Sequence, residues 1–117
     1  MFTNVIITTQ FEAVHAWYDC PYDDVSYLRY PHRHIFYVTM KFNVSNDSDR
    51  ELEFIRLKNK INYFIENNWR NNDLGDMSCE DICRKLMVLF GPVYVSVLED
   101  NENGVEMKQV EEYSITA

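Results

Sequence analysis

The stretch "HRHIFYVTMKFNV", residues 32–44, alternates in character and is rich in aromatic and β-branched side chains. This pattern predicts a long β-strand with one face turned towards a core. A similar stretch, "NVIITTQFEAVHAW", residues 4–17, precedes it and predicts a partner strand. The three histidines of the chain, His15, His32 and His34, all lie in these two segments. Any imidazole chemistry of the protein therefore belongs to this pair of predicted strands.

The rest of the chain divides into a loop, a turn, two helices and a second hairpin. These are the loop at 19–31, the turn at 45–49, the helices at 54–68 and 78–90, and the strands at 93–100 and 105–115 with a turn at 101–104. Ser78 stands three residues before Asp81, which resembles a capping box at the start of the second helix. The order ββααββ predicts one α+β domain over residues 1–117, in which a four-stranded antiparallel sheet carries both helices on one face.

Composition narrows the class of protein. The 117 residues suit one domain, and 11 basic against 19 acidic residues give a net charge of −8, which argues against a nucleic-acid partner. No apolar run reaches the ~18 residues of a membrane helix, and "MFTNVIITT" has no basic segment followed by an apolar block, so we expect no secretory signal. Cys20, Cys79 and Cys83 lack zinc-ribbon spacing, so we expect free thiols in a reducing cytoplasm.

The histidine spacing is compatible with a metal site. His32 and His34 are two residues apart in a strand, so their side chains leave the same face. An antiparallel partner strand brings His15 beside them, and three imidazoles then form an open tetrahedral site for Zn²⁺. The alternative is that these histidines simply alternate between core and solvent.

Five segments resemble, in order, motifs of the 6-pyruvoyl-tetrahydropterin synthase and 6-carboxy-tetrahydropterin synthase family. They are "FEAVH" (11–15), "HRHIFYV" (32–38), "LEFIRLK" (52–58), "SCEDI" (78–82) and "VSVLED" (95–100). The resemblance implies the T-fold, in which the sheets of several subunits join into a barrel and the ligand pocket lies between subunits. It therefore implies a homo-oligomer, a trimer or a hexamer.

The resemblance also implies roles for individual residues. His15, His32 and His34 match the zinc ligands of the family, and Glu99 matches the carboxylate that anchors the pterin ring. Two carboxylate oxygens suit the adjacent ring N–H and exocyclic amine of a pterin or guanine, and such charge-assisted hydrogen bonds are strong. Ser78 matches a position that lines the same pocket, although helix capping explains this serine equally well.

Three departures from the family pattern bear on catalysis. The synthases carry a proton-transferring cysteine a few residues before their H-G-H motif, whereas Cys20, the candidate catalytic residue here, lies twelve residues before His32. The family's Asp-His pair between the two helices is missing, because the chain has no fourth histidine. The glycine of H-G-H is replaced by Arg33, whose side chain is expected to point away from the metal face.

We therefore expect a catalytically degenerate T-fold protein that binds or sequesters a guanine- or pterin-like small molecule or nucleotide, in the manner of a phage nucleotide sponge. Arg29 and Arg33, with Arg56 and Lys58, are the candidates to meet phosphates. The main alternative is a zinc-dependent pterin synthase-like lyase that uses a non-standard proton-transfer group. The same residues are also compatible with hydrolytic or lyase chemistry by a metal-bound water, and with a scaffold that has lost its ligand.

Overall fold

The computed structural model describes residues 2–45 and 49–109. Four strands form one sheet in the order β1-β2-β3-β4, and every neighbouring pair is antiparallel. The elements are β1 (Thr3–His15), a 3₁₀ segment (Asp23–Arg29), β2 (His32–Val44), α1 (Phe54–Asn68), α2 (Cys79–Phe90), β3 (Tyr94–Glu99) and β4 (Asn103–Lys108). The predicted α+β class and the four-stranded antiparallel sheet are confirmed.

One face of the sheet, called the inner face from here on, carries the core. Phe11 on β1, Phe36 on β2 and Val97 on β3 are fully buried. The helices complete the same cluster with Ile61 and Ile65 of α1 and Ile82 and Leu86 of α2. Because alternate residues of a strand share a face, both helices cover the same side of the sheet. Fully burying one such apolar side chain stabilises the fold by about 1.5–3 kcal/mol.

The loop after α1 fixes the end of β1. The N–H of Asn71 donates to the carbonyl oxygen of Glu12 (2.6 Å), and the N–H of Val14 donates to that of Asn72 (3.0 Å). The N–H of Leu74 donates to the carbonyl oxygen of Val14 (2.7 Å). These bonds satisfy the outer edge of β1 just before its last residue, so that residue is held rigidly in the sheet.

Several predicted boundaries need correction. The first strand was expected to reach Trp17, but it ends at His15, because the N–H of Trp17 donates instead to the carbonyl oxygen of Leu28 (2.7 Å). The loop at 19–31 contains the 3₁₀ segment, which the sequence did not indicate because none of its residues is buried. The predicted turn at 101–104 is instead the three residues 100–102, since β3 ends at Glu99 and β4 already begins at Asn103. The predicted turn at 45–49 and strand at 105–115 lie partly outside the described residues.

The second helix begins as the sequence predicts. The Ser78 hydroxyl accepts the N–H of Asp81 (3.0 Å), and the Asp81 carboxylate accepts the N–H of Ser78 (3.1 Å). This reciprocal pair is a complete capping box. Gly91 ends the helix in the left-handed conformation, with φ of 70°. Among the described residues, no helix is long and apolar enough to cross a membrane.

Candidate metal centre

The β1–β2 register places the three histidines at one end of the inner face. His15 is paired directly with His32, and His34 lies two residues further along β2. The ring centroids are 4.6 Å apart for His15 and His32, 5.0 Å for His32 and His34, and 5.3 Å for His15 and His34. One potential ligand atom from each ring lies within 4.8 Å of the other two. The predicted convergence of the three imidazoles is therefore present.

Each imidazole is oriented by a hydrogen bond from its Nδ1 atom. The acceptors are the Met77 carbonyl oxygen for His15 (2.8 Å), the Tyr30 carbonyl oxygen for His32 (2.8 Å) and Asp100 Oδ2 for His34 (2.7 Å). Carbonyl and carboxylate oxygens only accept, so each Nδ1 carries a proton, and Nε2 is the nitrogen of each ring that can offer a lone pair to a metal. Partners of this kind orient histidines that bind metals.

The Nε2 atoms show where a ligand fits. Those of His15 and His34 are buried and lack a hydrogen-bond partner among the described residues. They face the carboxylate of Glu99, with 3.1 Å from His15 Nε2 to Oε2 and 3.5 Å from His34 Nε2 to Oε1. Buried polar atoms are nearly always satisfied in folded proteins. Three neutral imidazoles with inward lone pairs are a donor set that suits Zn²⁺, so the residues fit this metal.

His15 and Glu99 each shift the pKa of the other. Burial lowers the pKa of His15, but its polar contacts with Glu99 and Met77 outweigh burial and raise that pKa above its ordinary value. The contact with His15 lowers the pKa of Glu99, against the effect of burial and with help from the charge of His34. In the metal-free protein a proton on His15 therefore competes with a metal ion for the same lone pair.

Asp100 is a site residue that sequence reasoning missed. Its Oδ1 atom accepts the N–H of Ile35 (3.0 Å) while Oδ2 accepts from His34 (2.7 Å). The hydrogen bond from Ile35, together with that from His34, lowers the pKa of Asp100, so the group is ionised at neutral pH. Asp100 is left-handed, with φ of 54°, in the turn that follows β3. Its sequence signal is its place directly after Glu99, since an antiparallel β3 returns that turn to the start of β2.

An open cavity of ≈ 680 Å³ begins at the histidines. This volume lies within the range of about 300–1,000 Å³ that is common for small-molecule pockets. Trp17, Tyr18 and Leu28 form part of its lining, together with residues 76–80, which lead into α2. Four carboxylates also line the cavity: Asp19, Asp76, Glu80 and Glu99. Arg84 is the one arginine or lysine among the lining residues that the structure describes.

Two residues that were predicted to bind a ligand, Ser78 and Glu99, lie in the same cavity. Glu99 and Ser78 both line the cavity that His15 and His32 enter. Cys79, which was not singled out from the sequence, lies between them with its Sγ atom 3.7 Å from Glu99 Oε2. Burial, strengthened by the charge of Glu99, raises the pKa of Cys79 to about 12. Cys79 is therefore a neutral thiol that donates towards the carboxylate.

The remaining predicted residues lie elsewhere. Cys20 is buried, and its Sγ atom lies 3.8–3.9 Å from the carbonyl oxygens of Tyr22 and Val25, not in the cavity lining. Arg29 donates to the carbonyl oxygen of Cys20 (2.8 Å), and Arg33 lies 3.2 Å from Glu12 on the sheet face opposite the histidines. Arg56 is in the first turn of α1, and Lys58 lines a separate groove beside Thr9. Within the described single chain, none of these four cationic side chains lines the cavity.

Comparisons with known proteins give the fold but no function. No protein-family model matches the sequence, and no curated protein matches it either. The structure is similar to the crystal structure of an uncharacterized protein, WS1659, from Wolinella succinogenes, with a TM-score of 0.73 at 9% identity. The match covers 94% of this chain and 99% of the other. At this level of identity the likeness shows a shared fold only.

Proposed function

We propose that the protein is a cytoplasmic, zinc-binding member of the T-fold pterin synthase group that binds a guanine- or pterin-like small molecule without the usual catalysis. One observation carries the proposal: ring nitrogens of the three histidines converge beside the Glu99 carboxylate, and His15, His32 and Glu99 line one open cavity. The three histidines hold the zinc, and the carboxylate reads the ring. The family's proton-transferring cysteine has no counterpart at the expected place.

The state of Glu99 suits ring recognition. Its side chain is 31% exposed at the cavity wall, and its lowered pKa keeps it ionised at neutral pH. A guanine or pterin ring presents a ring N–H beside an exocyclic amine, which matches two carboxylate oxygens. Adenine presents an acceptor nitrogen at the corresponding position, so it leaves one oxygen opposite a lone pair. The pocket therefore discriminates by hydrogen-bond polarity.

The acidic lining favours the ring-binding half of the hypothesis over the phosphate-binding half. Asp19, Asp76 and Glu80 line the cavity besides Glu99, while Arg84 already pairs with Asp81 at 3.0 Å. A polyphosphate placed among these carboxylates is repelled. The free base, nucleoside or pterin is accordingly the preferred ligand, and a nucleotide needs its phosphates held by another subunit.

An open sheet edge supports assembly into a homo-oligomeric barrel, a trimer or hexamer. Residues 71–74 cover the end of β1, but its first half lies at the rim of the sheet. Alternation of antiparallel pairing turns the N–H and C=O groups of Asn4, Ile6 and Thr8 towards that rim. No backbone within the described ranges pairs with them. Such an edge is a template for a strand of another subunit.

The metal half is tested by elemental analysis of untagged protein. We expect zinc to copurify with wild type and to be absent from His34→Ala, which loses one of three ligands. Arg33→Ala is the matched control, because Arg33 adjoins His34 in sequence but lies on the opposite sheet face. A His34→Ala variant that keeps its zinc, or wild type with less than one zinc per three chains, contradicts the proposal.

The ligand half is tested by thermal shift and by mass spectrometry of whatever copurifies. A ligand present at 100 times its Kd adds about 2.7 kcal/mol to the free energy of unfolding. We expect guanine, guanosine and pterin to raise the melting temperature while adenine and adenosine leave it unchanged. Equal shifts for guanine and adenine, or shifts that persist in Glu99→Ala, contradict recognition of the ring by Glu99.

A second candidate function, a pterin synthase-like lyase, is favoured by the position of Cys79. Its thiol lies 3.7 Å from Glu99 in the cavity, whereas the family places its proton-transfer cysteine in the loop before H-G-H. A pKa of about 12 keeps Cys79 protonated at neutral pH, so the thiol carries a proton to donate and is not a thiolate base. Turnover of dihydroneopterin triphosphate by wild type, lost in Cys79→Ala or Cys20→Ala, establishes the lyase in place of the binder.

A further inference from the structure

The Glu99 carboxylate lies near two of the three histidine Nε2 atoms, at distances compatible with a shared metal ion. Two ligand atoms bound to tetrahedral Zn²⁺ at about 2.0–2.2 Å lie about 3.3–3.6 Å apart, because the angle between the bonds is about 109°. The Glu99 carboxylate lies 3.1 Å from His15 Nε2 and 3.5 Å from His34 Nε2, close to that range. One oxygen faces each histidine, so the carboxylate spans the gap between the two lone pairs.

The backbone holds Glu99 in this position. Its residue pairs with Phe36 on β2 and with Asn103 on β4, and the next N–H, that of Asp100, donates to the carbonyl oxygen of Ile35 (2.7 Å). The last residue of β3 is therefore fixed between two strands, with its side chain on the inner face beside the histidines. Its position does not depend on a mobile loop.

The carboxylate has no strong competing partner. Besides the two histidines, its contact among the described residues is the Cys79 thiol, 3.7 Å from Oε2, and a thiol is a weak donor. His15 is 7% exposed, and the Nε2 atoms of His15 and His34 are buried without a hydrogen-bond partner among the described residues. An ion held between these two atoms and the carboxylate satisfies both buried nitrogens.

We propose that Glu99 is the fourth metal ligand, so that the centre without an organic ligand is His₃Glu and not an open His₃ site. The inference depends on the metal-binding half of the proposed function. A ring that takes the Glu99 carboxylate must first release it from the metal. The organic ligand and the metal then compete for the Glu99 carboxylate, so each lowers the protein's affinity for the other by the same factor. Glu99 thus couples the occupancy of the cavity to the metal.

The test is a titration of metal-free protein with Co²⁺, followed by its visible absorption, which depends on coordination number and ligand type. We expect Glu99→Gln to weaken Co²⁺ binding about tenfold or more and to change the spectrum, since even outer partners of metal ligands contribute about 10–100-fold. Glu80→Gln is the matched control, because it removes the same charge from the lining of the same cavity. It should leave affinity and spectrum unchanged.

The outcomes separate this inference from the proposed function. Wild-type affinity and spectrum in Glu99→Gln overturn the inference while leaving a three-histidine site. Equal losses in Glu99→Gln and Glu80→Gln overturn it as well, because they indicate a general effect of charge. If Glu99→Gln fails to fold, Glu99→Asp keeps the charge but shortens the reach, and wild-type binding by that variant also overturns it. Failure of wild type itself to bind Co²⁺ instead removes the metal centre of the proposed function.

Discussion

The two ends of the inner face of β2 continue the same alternation of inward and outward side chains, but one end forms the core and the other carries the histidines. Phe36, Val38 and Met40 point inwards, are at most 1% exposed and pack against the helices. His32 and His34 point to the same side four and two residues before Phe36, and ligand atoms of their rings lie within 4.8 Å of each other and of one from His15. The strand register decides where each side chain lies, and the side-chain type decides whether that place becomes core or site.

Phe36 is the junction between the two ends, and its removal should have the largest effect. Its ring lies 5.3 Å from Phe11 and 5.2 Å from His15 between centroids. We expect Phe36→Ala to lower the free energy of unfolding by about 3–5 kcal/mol, because it empties a fully buried site. Urea denaturation of metal-free protein measures this loss. The Phe36→Ala substitution should also lower the affinity for metal, since the Phe36 ring packs against the imidazoles of His15 and His34.

The control for Phe36→Ala is Tyr63→Ala, an aromatic truncation on the outside of α1. Tyr63 is 73% exposed, so its loss should change the free energy of unfolding by no more than about 0.5 kcal/mol. Similar losses for the two variants contradict the division of the inner face into core and site. A stable Phe36→Ala protein with intact metal binding contradicts the junction itself.

Asp100→Asn should affect the histidine end alone. The amide oxygen still accepts the N–H of Ile35, and asparagine tolerates a left-handed residue, so the turn is retained. The amide nitrogen, however, donates where His34 needs an acceptor. His34 must then accept at Nδ1 and carry its proton on Nε2, the atom that faces the proposed metal site. We expect metal affinity to fall about 10–100-fold, measured by competition with a chelator.

Glu102→Gln is the matched control for Asp100→Asn. Glu102→Gln removes the same charge from the same turn. The hydrogen bond of Glu102 in that turn is made by its backbone N–H, which donates to the carbonyl oxygen of Glu99 (3.0 Å), so the substitution leaves this bond in place. Metal affinity should stay within about twofold of wild type, because exposed charges contribute little. If both variants weaken binding equally, the hydrogen bond of His34 to Asp100 does not control its tautomer.

The fold and the histidines were predictable because they depend on local periodicity. Alternation located β1 and β2, and antiparallel pairing of the two predicted that His15 lies beside His32 and His34; the structure pairs His15 with His32. Helical spacing and the capping box located α1 and α2 within a residue. The T-fold assembly and the pterin-like ligand remain predictions, because they depend on resemblance and on subunits that one chain does not contain.

The missed residues depend on contacts between distant segments. Asp100 reaches His34 across 66 positions of sequence, and Cys79 reaches Glu99 across 20. Neither contact has a period that sequence inspection detects, because each follows from how strand ends meet in the completed sheet. The phosphate-binding hypothesis for Arg29 and Arg33 rested on residue type alone. Within the single chain their side chains contact the Cys20 carbonyl oxygen and Glu12, and because the hypothesis concerns a pocket between subunits it stays a prediction.

Substitutions of Ser78 should have the smallest effect on stability, and they separate helix capping from ligand binding, since Ser78 caps α2 and also lines the cavity. Its hydroxyl caps the helix and also lines the cavity. We expect Ser78→Ala to cost about 1 kcal/mol by urea denaturation, whereas Ser78→Gly costs only about a few tenths, because glycine tolerates the N-cap position. Both variants lack the hydroxyl. If the serine acts only as a cap, both therefore bind guanine or pterin like wild type, whereas an equal loss of affinity in both assigns the hydroxyl to the ligand.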